Sequence, residues 1–115
     1  MNDKLLSSEI KNSILIIRIN NNIDKFNFHD FLKEFNEIVN NTNTVYILIN
    51  LRKLEIINSS IISLFLKIYK EKRFSEIYLS NMNEKIENIL KMLNLEKIFK
   101  IREREEEVIK EVGWN

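Results

Sequence analysis

A chain of 115 residues, 44% hydrophobic and 30% charged, carries enough apolar side chains for one core and fits a single domain over residues 1–115. Eighteen Lys and Arg against 17 Asp and Glu leave a formal net charge of +1, so the basic footprint of a nucleic-acid or anionic-membrane binder is missing. The absence of cysteine excludes a disulfide framework, a thiolate metal site and a cysteine nucleophile, and a lone His29 has no second His or Cys with which to share a metal.

The opening MNDKLLSSEI lacks the basic-then-apolar pattern of a secretory signal. No apolar run reaches the ~20 residues of a membrane span. A soluble cytoplasmic protein is the expectation. Gly113 is the single Gly and Pro is absent, which leaves Asn to fill turn positions, because Asn tolerates the left-handed region best after Gly.

In chain order, residues 4–10 suit a short strand and Lys11-Asn12-Ser13 a turn. Ile14 to Ile19 is a β-branched run bounded by Asn20-Asn21-Asn22, a second strand paired with the first. In FNFHDFLKEFNEIVNN, Phe28, Phe31, Leu32, Phe35, Ile38 and Val39 recur at helical spacing. Asn27 is placed to cap that helix, with Phe26 and Phe31 spaced as a hydrophobic staple. His29 falls on its polar side.

Val45 to Leu51 is almost continuously apolar, the pattern of a central strand covered on both faces. A helix follows from about Ser59 to Lys72. Its Ile61, Ile62, Leu64, Phe65, Leu66, Ile68 and Tyr69 leave little polar face, so deep burial is expected. Ile77-Tyr78-Leu79 makes another strand. Asn83 opens a helix with Ile86, Ile89, Leu90 and Leu93 on one side, and Asn94 stands where a left-handed cap belongs. Ile98 to Ile101 reads as a short last strand. Residues 103–112 read as a charged terminal helix with Val108, Ile109 and Val112 inward, and Arg102 to Glu107 as a mixed-sign solvated face. Trp114 beyond it is a docking residue or a disordered end; the sequence does not choose.

The order ββαβαβαβα predicts an α/β fold with a mixed, mostly parallel sheet of four or five strands and about four helices. Phe31, Phe35, Val45, Ile47, Ile49, Phe65 and Leu90 should share one core. In such sheets ligands and partners meet the loops after the carboxyl ends of the strands. Asn58-Ser59-Ser60 follows the central strand by a short loop and should lie on that edge. By itself the tripeptide is a helix cap; its position raises a second reading, a binding surface.

The stretch VYILINLRKLEIINSSIISL resembles the signature of STAS domains, the sulfate-transporter and anti-sigma-factor-antagonist family. That signature runs from an apolar strand through Asn/Asp-Leu and an apolar pair into Asp-Ser-Ser-Gly at a helix start. Here Asn50-Leu51, Leu54, Ile56-Ile57 and Asn58-Ser59-Ser60-Ile61 stand at those positions. NNIDKF is similar to the family's Gly-x-Leu-Asp, which puts Asp24 on its acidic residue. ILKMLNLEKIFKI is similar to its Leu-x-x-Gly-Leu-x-x-x-Phe ending, with Asn94 at the glycine. The likeness covers roughly residues 14–112. Asn58 replaces the family's Asp, and Ile61 its Gly.

The resemblance implies an anti-sigma-factor antagonist that binds an anti-sigma factor, itself a serine kinase. Phosphorylation of the second signature serine, here Ser60, would break that complex. Asp24, Asn58, Ser59, Ser60 and Ile61 would then be the partner-binding residues, with Ile61 placed to crowd the hydroxyl. The alternative is a STAS scaffold, or a subunit of a stress-signalling or lipid-transport ATPase complex, that is never phosphorylated. An enzyme in its own right has little support: there is no nucleophile–base pair, no Gly-rich phosphate loop and no metal spacing, and no cofactor is expected.

Overall fold

Short β-branched runs alternate with amphipathic stretches, and the chain folds them into one sheet with helices on both sides. The computed structural model describes residues 4–113. Its elements are β1 (Leu6–Lys11), β2 (Ile14–Ile19), α1 (Phe28–Asn40), β3 (Tyr46–Asn50), α2 (Ser59–Glu71), β4 (Glu76–Ser80), α3 (Glu84–Met92), a 3-10 turn (Leu95–Lys97), β5 (Lys100–Arg102) and α4 (Glu105–Gly113). The order is the expected ββαβαβαβα. The strands lie in the sheet as they come in the chain, β1 antiparallel to β2 and the other pairs parallel. Asn12 and Ser13 turn the β1–β2 hairpin at φ of 51° and 65°, the positive values that a tight two-residue turn demands.

Alternation along the strands divides the interior. Leu15, Ile17, Ile19, Ile47, Ile49, Ile77 and Leu79 join Phe31, Phe35, Phe65, Leu90 and Phe99 in a large core under α1, α2 and α3. The rings of Phe35, Phe65 and Phe99 meet there with centroids 6.1 and 6.4 Å apart. Ile14, Ile16, Leu48 and Tyr78 face the other way and are covered by Val108 and Val112 of α4. The continuous apolar character of β3 follows directly, since each of its faces has a helix layer to meet.

Several expectations are corrected. Val45 is 56% exposed, because it precedes the first paired residue of β3 and so lies at the rim of the sheet. Helix α2 is buried on one side only. Ile61, Leu64, Phe65 and Ile68 are inside, Ile62 and Leu66 are half-buried, and Tyr69 is exposed. Leu93 is likewise exposed at the end of α3. Residues 95–97 wind into a 3-10 turn, and the last strand starts only at Lys100. Arg102 lies in β5 and bonds Glu111, and the Glu105 side chain is 12% exposed, so the 102–107 run is not simply a solvated face. Asn94 does take the left-handed conformation, φ 58° and ψ 28°. Trp114 lies outside the described residues.

Candidate functional site

Three connections gather at the carboxyl edge of the parallel strands: residues 20–27 after β2, 51–58 after β3 and 81–83 after β4. The middle one is pinned from below. Leu51, Leu54 and Ile57 are buried, the Leu51 N–H donates to the Ser80 carbonyl at 2.9 Å, and the Asn50 side chain accepts the Arg52 N–H at 2.8 Å. Asn58 then leaves the loop in an extended conformation and caps α2. Its side-chain oxygen accepts the Ile61 N–H at 2.9 Å, and its carbonyl accepts the Ile62 N–H at 3.1 Å.

Ser59 and Ser60 are thus the first two residues of α2, and both are exposed. A helix start leaves its first N–H groups without intrahelical partners, and the Asn58 side chain answers only that of Ile61. Ile61 behaves differently from its neighbours. Its side chain is wholly buried in the large core, so it neither presents a surface to a partner nor stands over the serine hydroxyls. The helical turn sends Ile61 inward with Leu64, Phe65 and Ile68, while Ser59 and Ser60 face out.

Asn27 is the N-cap of α1 as its spacing predicts, but the side-chain bonds there come from Asp24, in the turn just before the helix. The Asp24 carboxylate accepts the N–H groups of Phe26 at 2.8 Å and Asn27 at 3.1 Å, and its carbonyl accepts that of Phe28 at 3.0 Å. The Asn27 carbonyl accepts the Phe31 N–H at 2.9 Å, but the Asn27 side chain makes no cap bond to α1. Its side-chain oxygen takes the Asp24 N–H, and its amide donates to the Asn22 carbonyl. Phe26 is 84% exposed, so no staple forms. The next loop is joined on: the Asn22 side chain accepts the Glu55 N–H at 2.6 Å, and the Asn83 amide donates to the Glu55 carbonyl at 2.9 Å. Asn83 also caps α3 through the Ile86 N–H. All three loops of this edge are therefore braced to one another.

A second polar centre, which the sequence did not disclose, lies on the α4 side of the same edge. Glu105 accepts two bonds from the Arg18 guanidinium, at 2.8 and 2.9 Å, and one from the Asn50 amide, and its N–H donates to Asn81. These donors, Arg18 first, hold the Glu105 carboxyl below the usual carboxylate range. Arg18 also reaches Glu9. A cleft of about 260 Å³ opens beside the cluster, with Arg52, Lys53 and Glu106 on its rim. Asn50, a polar residue closing an apolar strand, is the one sequence signal that pointed here. Its partners come from β2 and α4, at distances along the chain that periodicity cannot see.

His29 is exposed on the outer side of α1. Among the described residues no group of three or more His, Cys, Asp or Glu could hold a metal ion, and no helix is long and apolar enough to cross a membrane.

The STAS domain family model matches residues 6–108. A Thermotoga maritima protein, provisionally assigned as an anti-sigma factor antagonist, is 27% identical and superposes with a TM-score of 0.81 over 93% of each chain. The anti-sigma factor antagonist SpoIIAA in its unphosphorylated form is 16% identical, with a TM-score of 0.73 over 94% of this chain and 96% of its own. The Bacillus cell fate determinant SpoIIAA in its phosphorylated form is 18% identical, with a TM-score of 0.69 over 93% and 98%. At those two lower identities the likeness is one of fold.

Proposed function

The chain belongs to the STAS domain family, and on that premise we propose that it is an anti-sigma-factor antagonist whose carboxyl edge binds an anti-sigma serine kinase and is released by phosphorylation of Ser60. One observation carries the reading: Ser60 is exposed in the first turn of α2, on a loop edge that the fold holds rigid. Asn58 and Ser59 precede it in the chain and Asp24 lies on the loop braced to the same edge, all three as partner-facing residues. Ile61 supports it from beneath.

The chemistry follows from that position. A phosphate on Ser60 adds a charge of about −1.5 to −2 beside free helix N–H groups and the positive end of the α2 dipole. The domain tolerates the charge, whereas a partner surface fitted to a neutral hydroxyl meets an ion it must desolvate. The burial of Ile61 supports access to the hydroxyl, since no β-branched side chain shields it. A kinase partner of this class implies a cytoplasmic setting. The protein is then the substrate of the transfer, not its catalyst.

The second reading, a STAS scaffold or complex subunit without phosphorylation, is favoured by Asn58 in the place of the family's Asp. Asn58 caps the helix but brings no charge to orient a phosphoryl-transfer enzyme. The two part on one experiment. With the anti-sigma kinase of the same genome and ATP, intact mass should show one phosphate on wild type and none on Ser60→Ala. Ser60→Asp should bind that kinase at least about tenfold more weakly, with stability changed by no more than about 0.5 kcal/mol, as for an ordinary surface site. A kinase that binds the chain but never phosphorylates it, and that binds Ser60→Asp normally, would decide for the scaffold.

A further inference from the structure

Two large apolar side chains at the carboxyl edge serve no purpose in the fold. Phe26, spaced for a staple, is 84% exposed. Ile56 is 60% exposed, while Ile57, its partner in the apolar pair, is 6% exposed and in the core. The Lys25 ammonium lies over the Phe26 ring, 5.2 Å from the centroid. An exposed aromatic and an exposed β-branched residue on wandering loops would be unremarked, because ordering them on contact would cost much of what their burial gains. These loops do not wander.

Phe26 is fixed through its own N–H on the Asp24 carboxylate. Asp24 and Asn27 brace each other, Asn27 holds Asn22, and the Asn22 side chain holds the N–H of Glu55, the residue before Ile56. Asn83 clamps Glu55 from the other side. Ile56 stands three positions before Ser59 on the same pinned segment. The two apolar side chains therefore stand on loops whose backbones are hydrogen-bonded to each other, at the edge that also carries the exposed serines.

We infer that Phe26 and Ile56 are the anchors of the partner interface, and that the occupant is a protein with an apolar socket for them. The inference rests on the proposed partner-binding role of the Ser59–Ser60 edge and adds what provides the affinity there. Charges around the edge have both signs, Asp24, Glu55 and Glu84 against Lys25, Arg52, Lys53 and Lys85. No single-sign field is offered for an anionic lipid surface or a strongly charged partner to complement. Removal of apolar surface from water is what remains, and anchors of this kind carry most of an interface's energy. The same arrangement gives the switch its leverage, since seating the two tips in a socket brings the Ser60 hydroxyl, or its phosphate, against the partner.

The test is a binding titration of the full chain against the purified anti-sigma kinase of the same genome, repeated from about 0.05 to 0.5 M salt. Phe26→Ala and Ile56→Ala should each weaken binding by about tenfold or more, with unchanged melting. Phe74→Ala, which removes a 94% exposed aromatic from the loop at the opposite, amino edge of β4, should bind as wild type. Wild-type affinity should vary little with salt. Wild-type affinity in Phe26→Ala and Ile56→Ala, with Ser60→Asp still defective, would overturn the anchors and leave the switch standing. Failure of wild type to bind the kinase at all would retire the function reading and the anchors with it. Self-association of wild type that is lost in Phe26→Ala, or sedimentation with phosphatidylserine vesicles, would assign the tips to another occupant and overturn the proposal.

Discussion

Three helices cover one face of the sheet through an apolar cluster that runs from Leu6 to Phe99, whereas among the described residues the other face carries α4 alone, seated on Ile14, Ile16, Leu48 and Tyr78. Among the described residues no ion pair ties the first layer to the sheet, and the one carboxylate that reaches it, Glu34 of α1, accepts the backbone N–H groups of Leu5 and Leu6. The second is tied at both ends by carboxylates: Glu105 to Arg18 and Asn50, and Glu111 to Arg102 and the Tyr78 hydroxyl. The difference teaches how a short helix with two buried side chains, Val108 and Val112, can be held on a sheet. Its apolar contact is too small to fix its direction, so directional bonds to charged groups complete the attachment.

The contrast can be broken first on the large face. Phe65 is 1% exposed and packs between Phe35 and Phe99, and Phe65→Ala should cost about 3–5 kcal/mol in urea unfolding. Val108→Ala, a smaller truncation in the smaller cluster, should cost about 1–3 kcal/mol. Equal losses at the two sites would remove the distinction between the faces.

The polar ties give the next effect. Glu105→Gln keeps the shape but gives up the charge on the Arg18 bonds, and should destabilise by about 1–3 kcal/mol at neutral pH. Arg18 and Arg102, respectively, are the main causes that lower the folded-state pKa of Glu105 and Glu111. A lowered carboxylate contributes stability that is fully present above its unfolded pKa and is lost as pH falls through the folded value. Stability should therefore decline on the acid side of the ordinary carboxylate range, and the decline should be shallower in a Glu105→Gln, Glu111→Gln double variant. Identical acid limbs for variant and wild type in pH-dependent unfolding would show that these two carboxylates do not tie α4 down.

The smallest effect lies at a single backbone position at the end of α3. Asn94 holds φ at 58°, where Gly is at ease and a β-branched residue is strained. Asn94→Gly should be neutral or slightly stabilising, and Asn94→Val should lose roughly 1 kcal/mol or more. Coincident melting curves for the two would mean that the left-handed cap is not what ends α3.

Periodicity and turn chemistry made the alternation of elements legible, along with the expected core residues other than Val45, the caps at Asn58 and Asn83, and the left-handed Asn94. These depend on neighbours within a few positions, which is the range over which side-chain spacing and local hydrogen bonds act. Motif order also carried the family. What escaped was decided by contacts between distant segments. Asn27 holds the N-cap position of α1, yet its side chain is turned away to Asn22, itself tied on to Glu55, and the Asp24 carboxylate bonds the turn before the helix instead. Ile61 reads as a residue beside two hydroxyls until the docking of α2 turns it into the core. Glu105 reads as one charge in a charged run until β2 and β3 bring Arg18 and Asn50 beneath it, 87 and 55 positions away in the chain. The sequence by itself determined which segments would be strands and helices and which faces were apolar, because burial of periodic apolar surface is a local pattern with a global consequence. Only the tertiary structure decided which polar residues meet, because a hydrogen bond or ion pair needs its two groups within about 3 Å and in line, a condition that no spacing along the chain expresses.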